Sequence, residues 1–225
     1  MGTEVKKMKV SILSVGPIGT NCYLLYGEDG DCAVIDPGAE PEKVAARMQE
    51  LSLTPRMILL THGHYDHIGG IPGLKALYPS LPVYVHEKDK EMMEDPEKNF
   101  STAFTPAGFA VSPDFTLKAG DTLTLSGGTI RLIHTPGHTR GGVSYIAEKF
   151  LFTGDTLFAG GVGRTDLYGG DMGALRISLG KLLGLPGDYA VYPGHGPVST
   201  LSRERRENPY LAHYHGPETA EDEIF

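Results

Sequence analysis

The chain has no long hydrophobic run, no block of basic residues and only two cysteines. A membrane-spanning helix needs about 20 consecutive apolar residues. No stretch of the 225 residues approaches that, so no association with a membrane is expected. The start, Met1-Gly2-Thr3-Glu4-Val5-Lys6-Lys7, is polar and lacks the apolar core of a secretory leader, which points to the cytoplasm. Acidic residues outnumber basic ones 28 to 20, giving a formal charge of −8. Lysine and arginine form no stripe that would grip a phosphate backbone, so nucleic acid is not an expected partner. Cys22 and Cys32 flank a turn at Glu28-Asp29-Gly30. If that turn closes a hairpin, Cys32 faces Tyr26, and Cys22 lies roughly 13 Å farther along at about 3.4 Å per residue. A disulfide needs Cα atoms within about 7 Å, so both cysteines are expected to be reduced and buried.

What is present is an ordinary globular composition, 40% hydrophobic, in which short strands alternate with helices. Residues 10–13, 22–26 and 32–35 read as strands. Pro41 opens a helix with acidic residues at its positive end and Val44, Met48 and Leu51 on its apolar face. A strand at 57–60, a helix from Ile68 to Leu77 and a strand at 83–85 follow. Residues 87–113 dissolve into charge, proline and glycine, and read as a lid or surface excursion rather than core. Strands are expected again at 115–117, 122–125, 130–133, 143–146 and 150–153. A helix then begins at the N-cap Asp171, with Met172, Leu175, Leu179 and Leu182 on one face and Gly184 past its end, before a last strand at 189–192. No linker divides these elements, so one α+β or layered α/β domain spanning 1–225 is expected.

Directly after the apolar run Met57-Ile58-Leu59-Leu60 comes Thr61-His62-Gly63-His64-Tyr65-Asp66-His67. Such a density of ionisable groups beside a buried strand is costly to desolvate unless something pairs with it. Three further candidates follow apolar strands, each preceded by glycine: His138, Asp155 and His195. Loops gathered at one sheet edge would give this pattern, with backbone bends aiming short side chains at a shared centre. Five imidazoles and two carboxylates suit zinc, iron or manganese, and are too many for one tetrahedral ion but right for two ions bridged by a carboxylate. His86 and His134 read instead as structural, and His213 and His215 as members of an exposed polar tail.

The order His62-x-His64-x-Asp66-His67, then His138, Asp155 and His195, resembles the metallo-β-lactamase superfamily over nearly the whole chain. Within it, Gly154-Asp155-Thr156-Leu157-Phe158 and Gly163-Arg164-Thr165-Asp166 resemble the short bacterial members of the glyoxalase II group of thioester hydrolases. The resemblance implies an αβ/βα sandwich with two divalent ions, zinc first and iron or manganese next, at one edge. It implies that His62, His64 and His138 hold one ion, that Asp66, His67 and His195 hold the other, and that Asp155 bridges them. A water between two cations is acidified towards neutrality and becomes a nucleophile that Asp66 can aim at a thioester carbonyl. Asp36, in Ile35-Asp36-Pro37-Gly38, resembles a family aspartate that supports the site from behind the metal ligands.

The motif also departs from the glyoxalase II pattern. Gly63 stands where a third histidine is common, Arg164 takes the place of a glutathione-binding lysine, and Asp166 and Pro197 replace two tyrosines. Only 30 residues follow His195, too few for the helical domain that adds glutathione contacts. The implied substrate is therefore an S-D-lactoylglutathione-like thioester of a low-molecular-weight thiol, with a thiol other than glutathione left open. Arg164, on a glycine-rich loop, is the candidate for binding a distal substrate carboxylate, with an ion pair to Asp166 or Asp171 as its other reading. A persulfide dioxygenase with one iron and a lactonase share the ligand motif and remain alternatives. A β-lactamase is disfavoured, because a bridging carboxylate at 155 is not usual there. A non-catalytic metal-binding module is a further reading. Nothing in the pattern specifies an oligomeric state.

Overall fold

The computed structural model describes residues 7–211. Its first half runs β1 (Lys9–Val15), β2 (Thr20–Tyr26), β3 (Asp31–Ile35), α1 (Pro41–Glu50), β4 (Thr54–Leu59), α2 (Tyr65–Ile68), α3 (Ile71–Leu77), β5 (Val83–His86), α4 (Lys90–Met93) and β6 (Phe115–Leu117). The second half opens with β7 (Thr122–Leu125), β8 (Gly128–His134), β9 (Val143–Ala147), β10 (Phe150–Gly154) and a short ribbon, β11 (Leu157–Phe158) and β12 (Gly161–Val162). It closes with α5 (Met172–Leu183), β13 (Ala190–Pro193), β14 (Ser199–Thr200) and α6 (Leu201–Glu207).

The layering follows from strands that are apolar on both faces. In β2, Cys22 and Leu24 join Val34, Val44, Met48 and Leu74, whereas Tyr23 and Leu25 join Ile35, Leu59, Tyr145 and Phe152 on the other side. β3 divides in the same way, Cys32 and Val34 against Ala33 and Ile35. Such strands must be covered twice. One cover is α1 and α3, and the other is a second sheet. The two six-stranded sheets have the orders β1-β2-β3-β4-β5-β6 and β14-β13-β10-β9-β8-β7. On the outer face of the second, Leu151 and Val191 pack against Leu175, Leu179 and Leu182 of α5 and Leu201 of α6. The expected αβ/βα sandwich is the observed architecture.

Strand direction decides where function can sit. β3, β4 and β5 run parallel. β8 and β10 are each antiparallel to β9, and β10 is parallel to β13, so β8, β10 and β13 also share one direction. The loops leaving the C-terminal ends of each set therefore collect at a sheet edge, the usual place for a site in such folds. The two edges coincide: Val143 donates its N–H to the Thr61 carbonyl at 2.8 Å, and Gly154 at the end of β10 lies against the Thr61 side chain.

Three expectations need correction. The helix read as Ile68 to Leu77 is two short helices separated at Gly69 and Gly70, where the chain passes so close to the 37–39 turn that a Cβ would lie 2.5 Å from Gly38 O or 2.6 Å from Pro37 O. Met172 does not join the buried face of α5 but is exposed in its first turn, and Ser178 takes a buried place, its hydroxyl donating to Pro136 O at 2.6 Å. The 87–113 segment is only partly a surface excursion, because Met93 and Val111 are buried in the first core cluster. His86 and His134 stack on one another, ring centroids 4.2 Å apart, and each has a backbone contact, to Lys88 N and Arg140 O. His213 and His215 lie outside the described residues. Among the described residues no helix is long and apolar enough to cross a membrane.

The hairpin register pairs Tyr26 with Cys32, and both cysteines are free and fully buried. Burial pushes both thiols well above their ordinary value, so a thiolate reagent should find almost nothing in the native protein at pH 8. Unfolding without reductant should release two reactive thiols per chain. A count of zero in a thiol titration would overturn the hairpin argument.

Candidate metal centre

Past the end of β4 the backbone stays extended at His64 (φ −70°, ψ 152°) before turning into α2, which carries Asp66 and His67. His138 lies in the loop after β8, Asp155 directly after β10, His195 after β13 and Asp36 after β3. All eight predicted positions thus converge on the shared edge. His62, His64 and His138 form one group whose donor atoms lie within 4.8 Å of one another. Asp66, His67 and His195 form a second, and His62, His67 and Asp155 a third that joins them. Asp155 faces both sides: Oδ1 is 3.5 Å from His67 Nε2, while Oδ2 is 3.6 Å from His138 Nε2 and 3.6 Å from His195 Nε2. Asp66 Oδ2 lies 3.3 Å from His67 Nε2 and 3.2 Å from His195 Nε2, and accepts a hydrogen bond from Thr20 Oγ1 at 2.8 Å.

Groups behind the donors orient them. Asp36 is buried with a left-handed backbone (φ 52°), which aims its carboxylate back across the sheet edge. It accepts from Thr61 N at 2.8 Å and Thr61 Oγ1 at 2.6 Å, and lies 3.0 Å from His67 Nδ1. Because the Thr61 hydroxyl donates to Asp36, it is left to accept from His62 Nδ1, 3.1 Å away, so His62 Nε2 carries the lone pair. His138 Nδ1 likewise donates to the Arg164 carbonyl at 2.8 Å, which frees Nε2 towards the site.

The donor set fits a divalent cation on two grounds. His62 Nε2, His67 Nε2 and Asp155 Oδ1 are buried without any hydrogen-bond partner. Native interiors seldom leave such atoms unpaired. The protonation pattern of the first group agrees. Burial, reinforced by the neighbouring histidines, holds His62 and His64 well below the usual imidazole range, so both are neutral and able to ligate. In the second group, against burial, His67 and His195 hold the Asp66 carboxyl far below its ordinary value, and the carboxylates raise both imidazoles in turn, so a cation binding there takes the place of their protons.

Convergence this close needs glycine for steric reasons. A Cβ on Gly38 would lie 1.5 Å from the Asp66 carbonyl oxygen, one on Gly163 1.8 Å from that of Asp155, and one on Gly194 2.0 Å from Asp155 Oδ1. The glycine before His195 is therefore explained by close approach to the carboxylate.

Two supporting groups went unread in the sequence. Asp89, wholly buried past β5, accepts from Gly63 N at 3.0 Å, Thr139 Oγ1 at 2.7 Å and Gly141 N at 2.6 Å, and so ties the His62–His64 loop to the His138 loop. Glu204 on α6 is buried as well, accepting from the Ser199 hydroxyl, from Gly160 N at 2.8 Å and from Asn208 Nδ2 at 2.9 Å, which pins the β11–β12 ribbon. No local signal separates Asp89 from Glu87 and Glu91, or Glu204 from Glu207. Their contacts span 26 to 52 residues in the first case and reach 44 in the second.

The donors open on a cleft of about 420 Å³ whose walls include Ile18, Phe100, Phe104, Phe158, Val162 and Leu167. Arg164 stands at its rim, and its guanidinium makes a two-pronged contact with Asp166, 2.6 and 2.7 Å.

The profile of the Metallo-beta-lactamase superfamily matches residues 15–195, from the end of β1 through the last histidine of the cluster. The chain belongs to the metallo-beta-lactamase superfamily. Members of this superfamily are in general hydrolytic metalloenzymes. The chain is 38% identical over 208 residues to the hydroxyacylglutathione hydrolase GloC of Haemophilus influenzae, covering 91% of this chain and 98% of that one. It is equally similar, with the same coverage, to the probable metallo-hydrolase YqgX of Bacillus subtilis. Among solved structures it resembles the B3 metallo-beta-lactamase BLEG-1 (40% identity, TM-score 0.86, covering 91% of this chain and 100% of that one). It also resembles TTHA1623 in a di-iron-bound form (39% identity, TM-score 0.78, covering 89% and 100%). ETHE1 from Myxococcus xanthus is more distant (28% identity, TM-score 0.75, covering 91% and 84%).

Gly194 offers a test of the superfamily site that touches no donor. Gly194→Ala should leave the circular dichroism spectrum intact while weakening zinc binding in a calorimetric titration by about tenfold or more, because its Cβ displaces Asp155. Unchanged affinity would mean that Asp155 is not held where the donors need it.

Proposed function

We propose that the chain is a two-metal hydrolase that cleaves a thioester of a low-molecular-weight thiol. The observation that carries this reading is the doubled donor set at the floor of an apolar cleft, with one Asp155 oxygen towards His67 and the other towards His138 and His195. In this reading His62, His64 and His138 hold one ion, Asp66, His67 and His195 the other, and Asp155 both. Two divalent ions supply a water acidified towards neutrality and positive charge for the carbonyl oxygen. The chain's own groups do the rest. Asp66, fixed by Thr20, accepts a hydrogen bond from the attacking water and aims it. Asp36 and Thr61 keep His67 and His62 in place. A C–O bond forms, the C–S bond breaks, and the thiolate leaves with little need of a proton because its conjugate acid is far stronger than an alcohol. The similarity to GloC, a hydroxyacylglutathione hydrolase by name, supports this class of substrate.

A second reading keeps the site but changes the chemistry. A mononuclear-iron dioxygenase is compatible with the similarity to ETHE1, and the di-iron form of TTHA1623 keeps iron open as the metal. One sample separates the readings: metal analysis, oxygen uptake, and hydrolysis of thioesters, lactones and β-lactams. We expect two ions per chain, thioester cleavage and no oxygen uptake. In Asp155→Ala, metal content should fall and turnover should disappear. One ion at saturation with normal thioester turnover would sink the two-metal mechanism, and reaction with lactones alone would make the chain a lactonase.

Asp166 takes the Nε–Nη2 edge of the Arg164 guanidinium, so a substrate carboxylate would use the remaining Nη1 edge or displace Asp166. If it does, Arg164→Ala raises KM for carboxylate-bearing thioesters about tenfold or more, as expected for the loss of a charged hydrogen bond worth about 1.5–3 kcal/mol, with kcat little changed. Asp166→Ala, which releases the guanidinium, lowers that KM. Equal losses on charged and neutral thioesters would assign the pair to loop structure alone.

A further inference from the structure

Tyr65 and Phe104 stack nearly face to face, ring centroids 4.3 Å apart and planes at 21°, and they wall two clefts rather than one. On the far side of the stack lies a second cleft of about 440 Å³, whose lining includes Val15, Pro17, Ala39 and Phe109. It meets the first at Asp66, Ile18, Tyr65 and Phe104. A substrate whose reacting carbon sits beside Asp66 therefore has two directions in which to extend.

The two directions differ in charge. The first carries Arg164 at its rim. Among the described residues, the lining of the second contains no lysine, arginine or histidine, and its three serine and threonine hydroxyls, Thr20, Ser101 and Thr105, donate to Asp66, to Pro96 O and Phe109 O, and to Ser101 O. Its two carboxylates are already engaged, Asp66 by Thr20 Oγ1 and Glu40 by Gly16 N at 3.0 Å and Lys43 Nζ at 3.3 Å. The Tyr65 ring stacks on Phe104 in the wall, and its hydroxyl is buried. A charged or strongly polar group placed here would lose its hydration and find no cationic partner. An apolar chain would gain by leaving water.

We propose, on the thioester reading above, that this second cleft is the acyl site and that the substrate is a thioester with an apolar acyl group rather than a hydroxyacyl one. Continuity with the donor floor through Asp66 supplies the geometry, and the missing cations supply the selectivity. Ala39 and Phe104 are then specificity residues, one at the cleft's interior and one in its wall.

Thioesters of N-acetylcysteamine, a small uncharged thiol, would test this with acetyl, D-lactoyl and hexanoyl groups on the metal-loaded protein. We expect kcat/KM for hexanoyl to exceed that for acetyl at least tenfold, a modest demand given roughly fourfold for each fully buried methylene. Ala39→Leu, which fills the cleft, should reduce the hexanoyl-to-acetyl ratio at least tenfold. Phe104→Ala should also reduce it, and because Phe104 is 53% exposed this variant folds even if the first does not. Calorimetric binding of the matching ketones, in which CH₂ replaces sulfur, reports the cleft without turnover. Equal binding of hexanoyl and acetyl ketones, or a preference for the lactoyl thioester, overturns the acyl site. Selective binding of the hexanoyl ketone with no thioester cleaved upholds the site and overturns the reaction.

Discussion

The constraint on which this structure depends is the desolvation of ionisable groups. Five imidazoles and two carboxylates stand at the edge where two sheets meet, and four of the imidazoles are buried to within 5% of full exclusion. Protein–protein contacts satisfy only part of them: Asp66 has Thr20, and His138 has the Arg164 carbonyl, but His62 Nε2 and Asp155 Oδ1 face inward with no partner. An arrangement of this kind is stable when a cation takes the unpaired lone pairs, and unfavourable when it does not. Folding and cation binding are in that sense one problem, and the layers outside the edge exist to hold the donors against their own cost.

How they are held shows in the hydrogen bonds behind the donors. Asp36 joins β3 to the β4 loop through Thr61, Asp89 joins the β4 loop to the β8 loop, and Asn21 joins β2 to the β13 loop by donating to Pro193 O and Gly196 O. These bonds tie the donor loops after β4, β8 and β13 to neighbouring strands or to one another, so none of the three is held by its own strand alone. The glycines complete the arrangement: Gly38, Gly163 and Gly194 let backbone pass within contact of Asp66 and Asp155 where any side chain would separate them.

Much of this was legible in the sequence, and the boundary between what was and what was not is physical. The two-faced apolar strands β2 and β3, the cysteine register and the donor order are local properties of the chain, written at spacings of two to a few residues. Asp89 and Glu204 were invisible because burial and partners far along the chain, not neighbours, make them important. The break between α2 and α3 was missed because Gly69 and Gly70 answer to the 37–39 turn, a tertiary contact, rather than to helical periodicity. Met172 fits the apolar stripe by spacing, yet at the first residue of α5 it stays exposed while Leu175, three residues on, is fully buried. For Arg164 the sequence offered a substrate carboxylate or an ion pair to Asp166 or Asp171, and the guanidinium pairs with Asp166, a choice of partner that spacing does not specify.

The division of labour between donors and walls explains how one scaffold can serve chemistries as different as those named among its relatives. Every donor except Asp66 and His67 sits on a loop directly after a strand, and those two lie on the single turn of helix that follows one. The cleft walls come from elsewhere. Phe100 and Phe104 belong to the excursion between α4 and β6, and Phe158 and Val162 to the β11–β12 ribbon, which α6 clamps from behind through Glu204 and Asn208. None of these four wall side chains takes part in a hydrogen bond behind the donors. The reactive centre can therefore stay fixed while the walls redraw what reaches it.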